Sequence, residues 1–206
     1  VTIFCVARNY VAHARELNNP VPEDPVIFIK PAAALLTDNK PFHLPSHSQQ
    51  VDYEAEIVVR MSKGGRSISE SDAASCYDQV AVGIDFTARD IQNHCKQKGL
   101  PWEIAKGFDE SAAVSDFFPR DHFGAFHQLP FELTQNGKVV QRGNVNEMLF
   151  SVEFLISYIS SIFTISEGDI LFTGTPFGVG QVHSGDLLEG FIAGTKLLTC
   201  EVRNRE

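Results

Sequence analysis

Val51-Asp52-Tyr53-Glu54-Ala55-Glu56-Ile57-Val58-Val59 carries a carboxylate at every second position, with Tyr53, Ala55 and Ile57 between them. Successive side chains of a β-strand point to opposite faces, so a strand here puts Glu54 and Glu56 on one face and the apolar residues on the other. The rest of the chain reads the same way. β-rich runs recur at Pro25–Lys30, Val51–Met61, Val80–Thr87, Phe131–Gln141, Asp169–Thr173, Asp186–Ala193 and Lys196–Arg203, with turn signals at Gly64-Gly65 and Asn136-Gly137. Helices are predicted over Asn9–Leu17, from the N-cap Ser69 through Tyr77, over Ala88–Lys98 and over Ser151–Ile162. Gly99 and Pro101 stop the third of these. Strands and helices do not alternate regularly, which disfavours a doubly wound parallel sheet and predicts a mostly β, mixed α+β fold. No linker, repeat or shift in composition divides residues 1–206, so a single domain is expected.

Composition narrows the function. Lys and Arg number 17 against 26 Asp and Glu, a net charge of −9 that suits nucleic acid poorly. No apolar run approaches the roughly 18 residues of a membrane span, and no basic N-terminus precedes an apolar block, so a cytoplasmic protein is expected. Cys5, Cys76, Cys95 and Cys200 form no C-x-x-C pair, which leaves them as reduced, buried thiols rather than disulfide or zinc partners. His43, His47, His94, His122, His127 and His183 fall in no metal-ligand spacing and read as surface or structural residues.

Two like charges as close as Glu54 and Glu56 repel, and two readings follow: a solvated strand face, or a hard divalent cation between them. Asp85 bears on that choice. It sits in the apolar run Val80-Ala81-Val82-Gly83-Ile84-Asp85-Phe86-Thr87, where an unpaired carboxylate is costly to bury. A cap for the helix that follows would also satisfy it, with Asp90 a rival for that place.

Elsewhere, His13 and Glu16 lie three apart on the first helix, where Glu16 can orient the imidazole; an exposed helix pair is the plainer reading. Asn18-Asn19-Pro20-Val21-Pro22-Glu23-Asp24-Pro25 follows as an extended loop that would let that helix close over a ligand. Arg8, Arg89 and Gln92 are candidates for a substrate carboxylate or serve structure, and Thr175 stands in a glycine-flanked turn that allows close backbone approach.

Glu54-x-Glu56, Asp85-Phe86-Thr87-Ala88-Arg89-Asp90, Trp102-x-x-Ala105-Lys106-Gly107-Phe108-Asp109 and Gly168-Asp169-x-x-x-Thr173-Gly174-Thr175-Pro176-x-Gly178-Val179-Gly180 together resemble the fumarylacetoacetate hydrolase superfamily. Arg8-Asn9-Tyr10 and Lys30-Pro31 extend the likeness to the start of the chain, and the length is similar to the small members close to acylpyruvate hydrolases and oxaloacetate decarboxylases. The resemblance implies a mixed β-roll, Mg²⁺ (or Mn²⁺ or Ca²⁺) held by Glu54, Glu56 and Asp85, and a homodimer. It implies Lys106 as a pocket cation, where the residue alone reads as a surface lysine, and His13–Glu16 as a lid dyad. The implied activity is hydrolysis of a C–C bond in an acylpyruvate-like β-diketo acid, with oxaloacetate decarboxylation or isomerisation of a 2-oxo diacid as alternatives at the same site. Ser111-Ala112-Ala113-Val114-Ser115-Asp116 departs from the family pattern, which bears on the shape of the pocket.

Overall fold

A computed structural model describes residues 1–17 and 19–205. In chain order the strands are β1 Ile3–Ala7, β2 Val26–Lys30, β3 Leu35–Leu36, β4 Phe42–Leu44, β5 Val51–Tyr53, β6 Ala55–Met61, β7 Tyr77–Asp85, β8 Thr87–Ala88, β9 Ala112–Val114, β10 Phe118–Pro119, β11 Pro130–Gln135, β12 Lys138–Asn144, β13 Ile170–Phe172, β14 Gly180–Gln181, β15 Leu187–Ile192 and β16 Thr195–Asn204. The α-helices are α1 Val11–Glu16, α2 Glu70–Ala73, α3 Arg89–Lys98, α4 Glu103–Lys106 and α5 Val152–Ile162.

The strands form a large mixed sheet in the order β2-β1-β13-β6-β7-β9-β3, with β10 beside β7; a five-stranded sheet, β12-β11-β15-β16-β4; and a small sheet, β14-β5-β8. The β1–β13 pair is parallel, whereas β6–β7 is antiparallel with Glu56 opposite Gly83. Ile57, Val59, Val82 and Ile84 of the large sheet share one buried cluster with Leu133, Leu188, Ile192 and Leu198 of the five-stranded sheet. Val58, Ala81, Ile170 and Phe172 fill a second cluster on the opposite face. This is the mostly β, mixed architecture expected from the sequence. All four cysteines are buried and unbridged.

Local chemistry explains the helix ends. The Ser151 hydroxyl accepts from Phe154 N at 3.1 Å, and Leu155, Ile156 and Ile159 of α5 are buried. The Ser69 hydroxyl accepts from Asp72 N at 3.2 Å, but α2 stops at Ala73 and Tyr77 already begins β7. Two predicted strands are each two strands. Phe131–Gln141 is interrupted by Asn136 and Gly137, whose φ values of 55° and 78° make the tight turn between β11 and β12. Val51–Met61 breaks at Glu54, where the chain leaves the small sheet for the large one, and β7 gives way to β8 at Phe86 on the neighbouring strand. Asp85 N donates to Glu54 O at 2.8 Å and ties the two bends together.

Candidate active site

The bends bring the carboxylates together. Glu54, Glu56 and Asp85 are buried, and one oxygen from each lies within 4.8 Å of the others. The alternation survives the break at Glu54: Tyr53, Ala55 and Ile57 enter the core while the three acidic side chains take up polar contacts.

Each carboxylate has its own support. Glu56 Oε2 accepts from Gly174 N at 2.6 Å, an approach that requires glycine: its φ is 101° and a Cβ there would meet Asn9 Cβ at 2.6 Å. Asn9 is fully buried and fastens the same turn, donating to Thr173 O at 2.8 Å. Glu54 accepts from Arg89 Nη2 through one oxygen and from Lys106 Nζ at 2.8 Å through the other. Lys106 Nζ also donates to Asp85 Oδ2 and Thr87 Oγ1, both at 2.6 Å. Asp85 Oδ1 pairs with the Lys30 ammonium at 2.8 Å, and the same ammonium donates to Ser111 Oγ, Ser111 O and Lys106 O.

Of the four buried carboxylates, Asp52, Glu54 and Asp85 pair with Lys30, Lys106 and Arg89, and Glu56 has no ion pair among the described residues. Burial, then Asp85 and Glu54, push its carboxyl well above the usual carboxylate range. Burial acts the same way on Glu54, but the charges of Lys106 and Arg89 outweigh it and hold Glu54 below that range. Lys106 is raised in turn, because Asp85 and Glu54 outweigh the cost of burying its ammonium. A buried all-oxygen cluster in which Glu56 has no cationic partner fits a hard divalent cation.

α1 brings the other half. His13 is buried, with Nδ1 3.2 Å from Glu16 Oε2, and Gly178 N donates to Glu16 Oε1 at 3.1 Å. His13 Nε2 has no hydrogen-bond partner among the described residues. Arg8, Arg89, Gln92, Thr175 and Lys106 line the same cavity as His13 and the three carboxylates, while Glu16 stands behind His13. The cavity measures about 20 Å³, room for roughly one water.

Arg89 commits Nε to Asp52 at 2.8 Å, Nη1 to Gln92 Oε1 at 2.7 Å and Nη2 to Glu54, so in this state it aligns Glu54. The backbone of Arg8 takes a left-handed φ of 61°, and its guanidinium makes no ion pair among the described residues. Gln141 was not singled out from sequence. It donates to Thr175 Oγ1 at 2.9 Å and accepts from Ala55 N at 2.8 Å, joining the Thr175 turn to β6. Lys30 and Asp52 were also given no part, although a lysine closing an apolar run and the first member of the acidic alternation were visible signals. Ser111, at the departure from the family pattern, accepts from Lys30 and turns its hydroxyl to Lys106 O at 2.8 Å.

Residues 2–203 match the model of the fumarylacetoacetate hydrolase C-terminal family. The chain belongs to this family. It is 41% identical over 204 residues to the mitochondrial oxaloacetate tautomerase FAHD1 of Homo sapiens, covering 99% of this chain and 92% of that protein. The mitochondrial oxaloacetate decarboxylase of Dictyostelium discoideum is 38% identical, with 93% and 88% covered. Among solved structures, fumarylpyruvate hydrolase from Pseudomonas aeruginosa, in complex with Mn²⁺ and pyruvate, superposes with a TM-score of 0.94 at 36% identity, covering 100% of this chain and 90% of that one. These relatives carry three enzyme names. No helix among the described residues is long and apolar enough to cross a membrane.

Proposed function

We propose that the protein is a Mg²⁺-dependent hydrolase that cleaves an acylpyruvate-like β-diketo acid into pyruvate and a carboxylic acid. The observation that carries this reading is the His13–Glu16 dyad, with Glu16 anchored to Gly178 N and His13 lining the cavity that also holds Glu54, Glu56 and Asp85. A divalent cation on those carboxylates supplies Lewis acidity toward a chelating 2-oxo acid and positive charge to balance an enolate.

The chain's own groups do the rest. With Glu16 at Nδ1, His13 keeps its proton there and offers Nε2 as the base. Water gives its proton to Nε2 as its oxygen bonds to the acyl carbonyl. The C–C bond then breaks, its electron pair passes to the pyruvate fragment, and His13 returns the proton to that carbon. Lys106, held by Glu54, Asp85 and Thr87, places a fixed charge beside the developing anion without reorganising. Arg8 is suited to the 1-carboxylate of the substrate, and Gln92 and the Thr175 turn to its polar atoms. A cavity with room for one water requires α1 to lift for entry and to close afterwards, shutting out bulk solvent.

A second reading, keto–enol conversion or decarboxylation of oxaloacetate, draws support from the names of the curated relatives. The purified protein assayed with Mg²⁺ on acetylpyruvate, oxaloacetate and a 2-oxo-heptenedioate separates them. Pyruvate and acetate from acetylpyruvate are expected. Turnover of oxaloacetate alone would put the second reading in its place, and a double-bond shift in the heptenedioate without cleavage would make the site an isomerase.

A further inference from the structure

The cavity wall between α3 and the segment after α1 contains groups that the reaction above leaves unused. Lys96 of α3 lines the cavity and is half-buried, yet it makes no ion pair among the described residues. The deeper cations Lys30, Lys106 and Arg89 all meet carboxylates. Burial and the nearby charges of Arg8 and Arg89 press the Lys96 ammonium below its ordinary pKa, the mark of a cation waiting for an anion.

Asn19 supplies a second, independent sign. Its Oδ1 accepts from Lys96 Nζ at 3.4 Å, which fixes the amide orientation, because the reverse would set two donors against each other. Its Nδ2 is then turned away from Lys96, buried, and without a hydrogen-bond partner among the described residues, and Asn19 lines the same cavity. A buried unmade donor is destabilising, so a ligand that supplies the acceptor recovers that loss. An ammonium without an ion-pair partner beside an unfilled amide donor is a cradle for a carboxylate, because the acid it feels, Glu54, is already held by Lys106 and Arg89. Trp102, with the Lys96 Nζ 6.0 Å from its ring centroid, supports the lysine from the other side.

We propose that Lys96 and Asn19 together bind the second carboxylate of a dianionic 2-oxo acid and so select diacids over monoacids at this site. The assignment rests on the 2-oxo acid reading of the site and adds the residues that sort its substrates. It also links selection to closure, because Asn19 N donates to Ala14 O of α1 at 2.8 Å. A distal carboxylate that engages Asn19 pulls on the segment that seats His13. A monoacid holds the cavity floor but leaves this hold unused.

The test is isothermal titration of the protein in Mg²⁺ with two matched pairs, oxaloacetate against 2-oxobutyrate and 2-oxoglutarate against 2-oxovalerate. In each pair a distal carboxylate is exchanged for a methyl group. At least one diacid is expected to bind roughly 10–100-fold tighter than its partner, the range of a charge-assisted contact. Lys96→Met is expected to erase that ratio while leaving monoacid affinity within about threefold, and Lys96→Arg to restore most of it. Asn19→Leu should remove a smaller share of the ratio. Equal affinities within both pairs in the parent protein, or a Lys96→Met variant that loses diacid and monoacid alike, would overturn the assignment. The hydrolase reading stands or falls separately: absence of turnover sinks it without touching the binding ratio, and loss of the ratio leaves turnover of acetylpyruvate intact.

Discussion

Glu56 and Asp85 stand on strands pinned by sheet pairing and Glu54 at the break between two strands, whereas His13 and Glu16 stand on a six-residue helix with no side-chain N-cap. The first region is over-determined. Its backbone is held by β6–β7 pairing and by Asp85 N on Glu54 O, and its side chains are held by Arg89, Lys106 and Gly174 N. The second is far too short to persist as an isolated helix, so α1 depends on what it docks against. Its Glu16 is fastened by a hydrogen bond from Gly178 N. The difference teaches that one cavity can have a floor that must not move and a roof that must.

The severest way to test that contrast is Asp85→Ala. It removes one of the three carboxylates proposed to hold the cation and leaves Lys30 and Lys106 buried without their shared partner. Stranding buried charges in this way costs about 3–5 kcal/mol, so urea unfolding should show a loss of that size together with loss of activity and of any Mg²⁺-induced rise in Tm. A variant as stable as the parent would mean that the floor is less tightly built than its contacts indicate.

His13→Ala probes the roof. Acylpyruvate hydrolysis is expected to fall by roughly 10²–10⁴-fold, the worth of a general base, with stability and the Mg²⁺-induced Tm shift kept. Oxaloacetate decarboxylation should fall much less, since release of CO₂ needs no activated water. Equal losses in both reactions would assign α1 to closure rather than to proton transfer, and loss of the Tm shift would show that floor and roof are one unit.

The mildest change, Glu56→Gln, divides the floor itself. Burial and the neighbouring Asp85 and Glu54 raise the folded pKa of Glu56, so the metal-free protein binds a proton there that the unfolded chain has released. Metal-free stability therefore declines as pH rises from the ordinary carboxylate range toward that raised value, and Mg²⁺ uptake over the same window releases a proton and tightens by up to about tenfold per pH unit. Glutamine keeps the acceptor for Gly174 N but carries no proton to lose. Glu56→Gln should hold metal-free stability within about 1 kcal/mol, flatten its pH dependence and lose the Tm shift. A pH profile unchanged from the parent would move the unpaired charge to another carboxylate.

Much of this was legible in the chain because period-2 alternation reports which residues share a strand face whatever the partner strand. Val51–Val59 and Val80–Thr87 announced two strands with acids on them, and the motif order tied those acids to Lys106, Arg89 and Thr175. The ends of the helices were legible from Ser69, Ser151 and Gly99, since caps are local chemistry. The break at Glu54 was not. It arises from pairing with two different sheets, and no local residue marks it.

Residue types and their alternation thus determined by themselves that this is a β-rich protein with acids on one strand face, and left open whether that face is solvated or holds a cation. Only the tertiary structure decided that Lys30, from a strand 24 residues before Glu54 in sequence, meets Asp85, that Gln141 fastens Thr175, that Glu16 reaches Gly178, and that Lys96 and Asn19 share one wall. Each of these joins residues far apart in the chain, and each is set by charge and hydrogen-bond balance in a buried space. That balance has no local sequence signature, because a side chain's partner there is whichever group the folded backbone delivers to it.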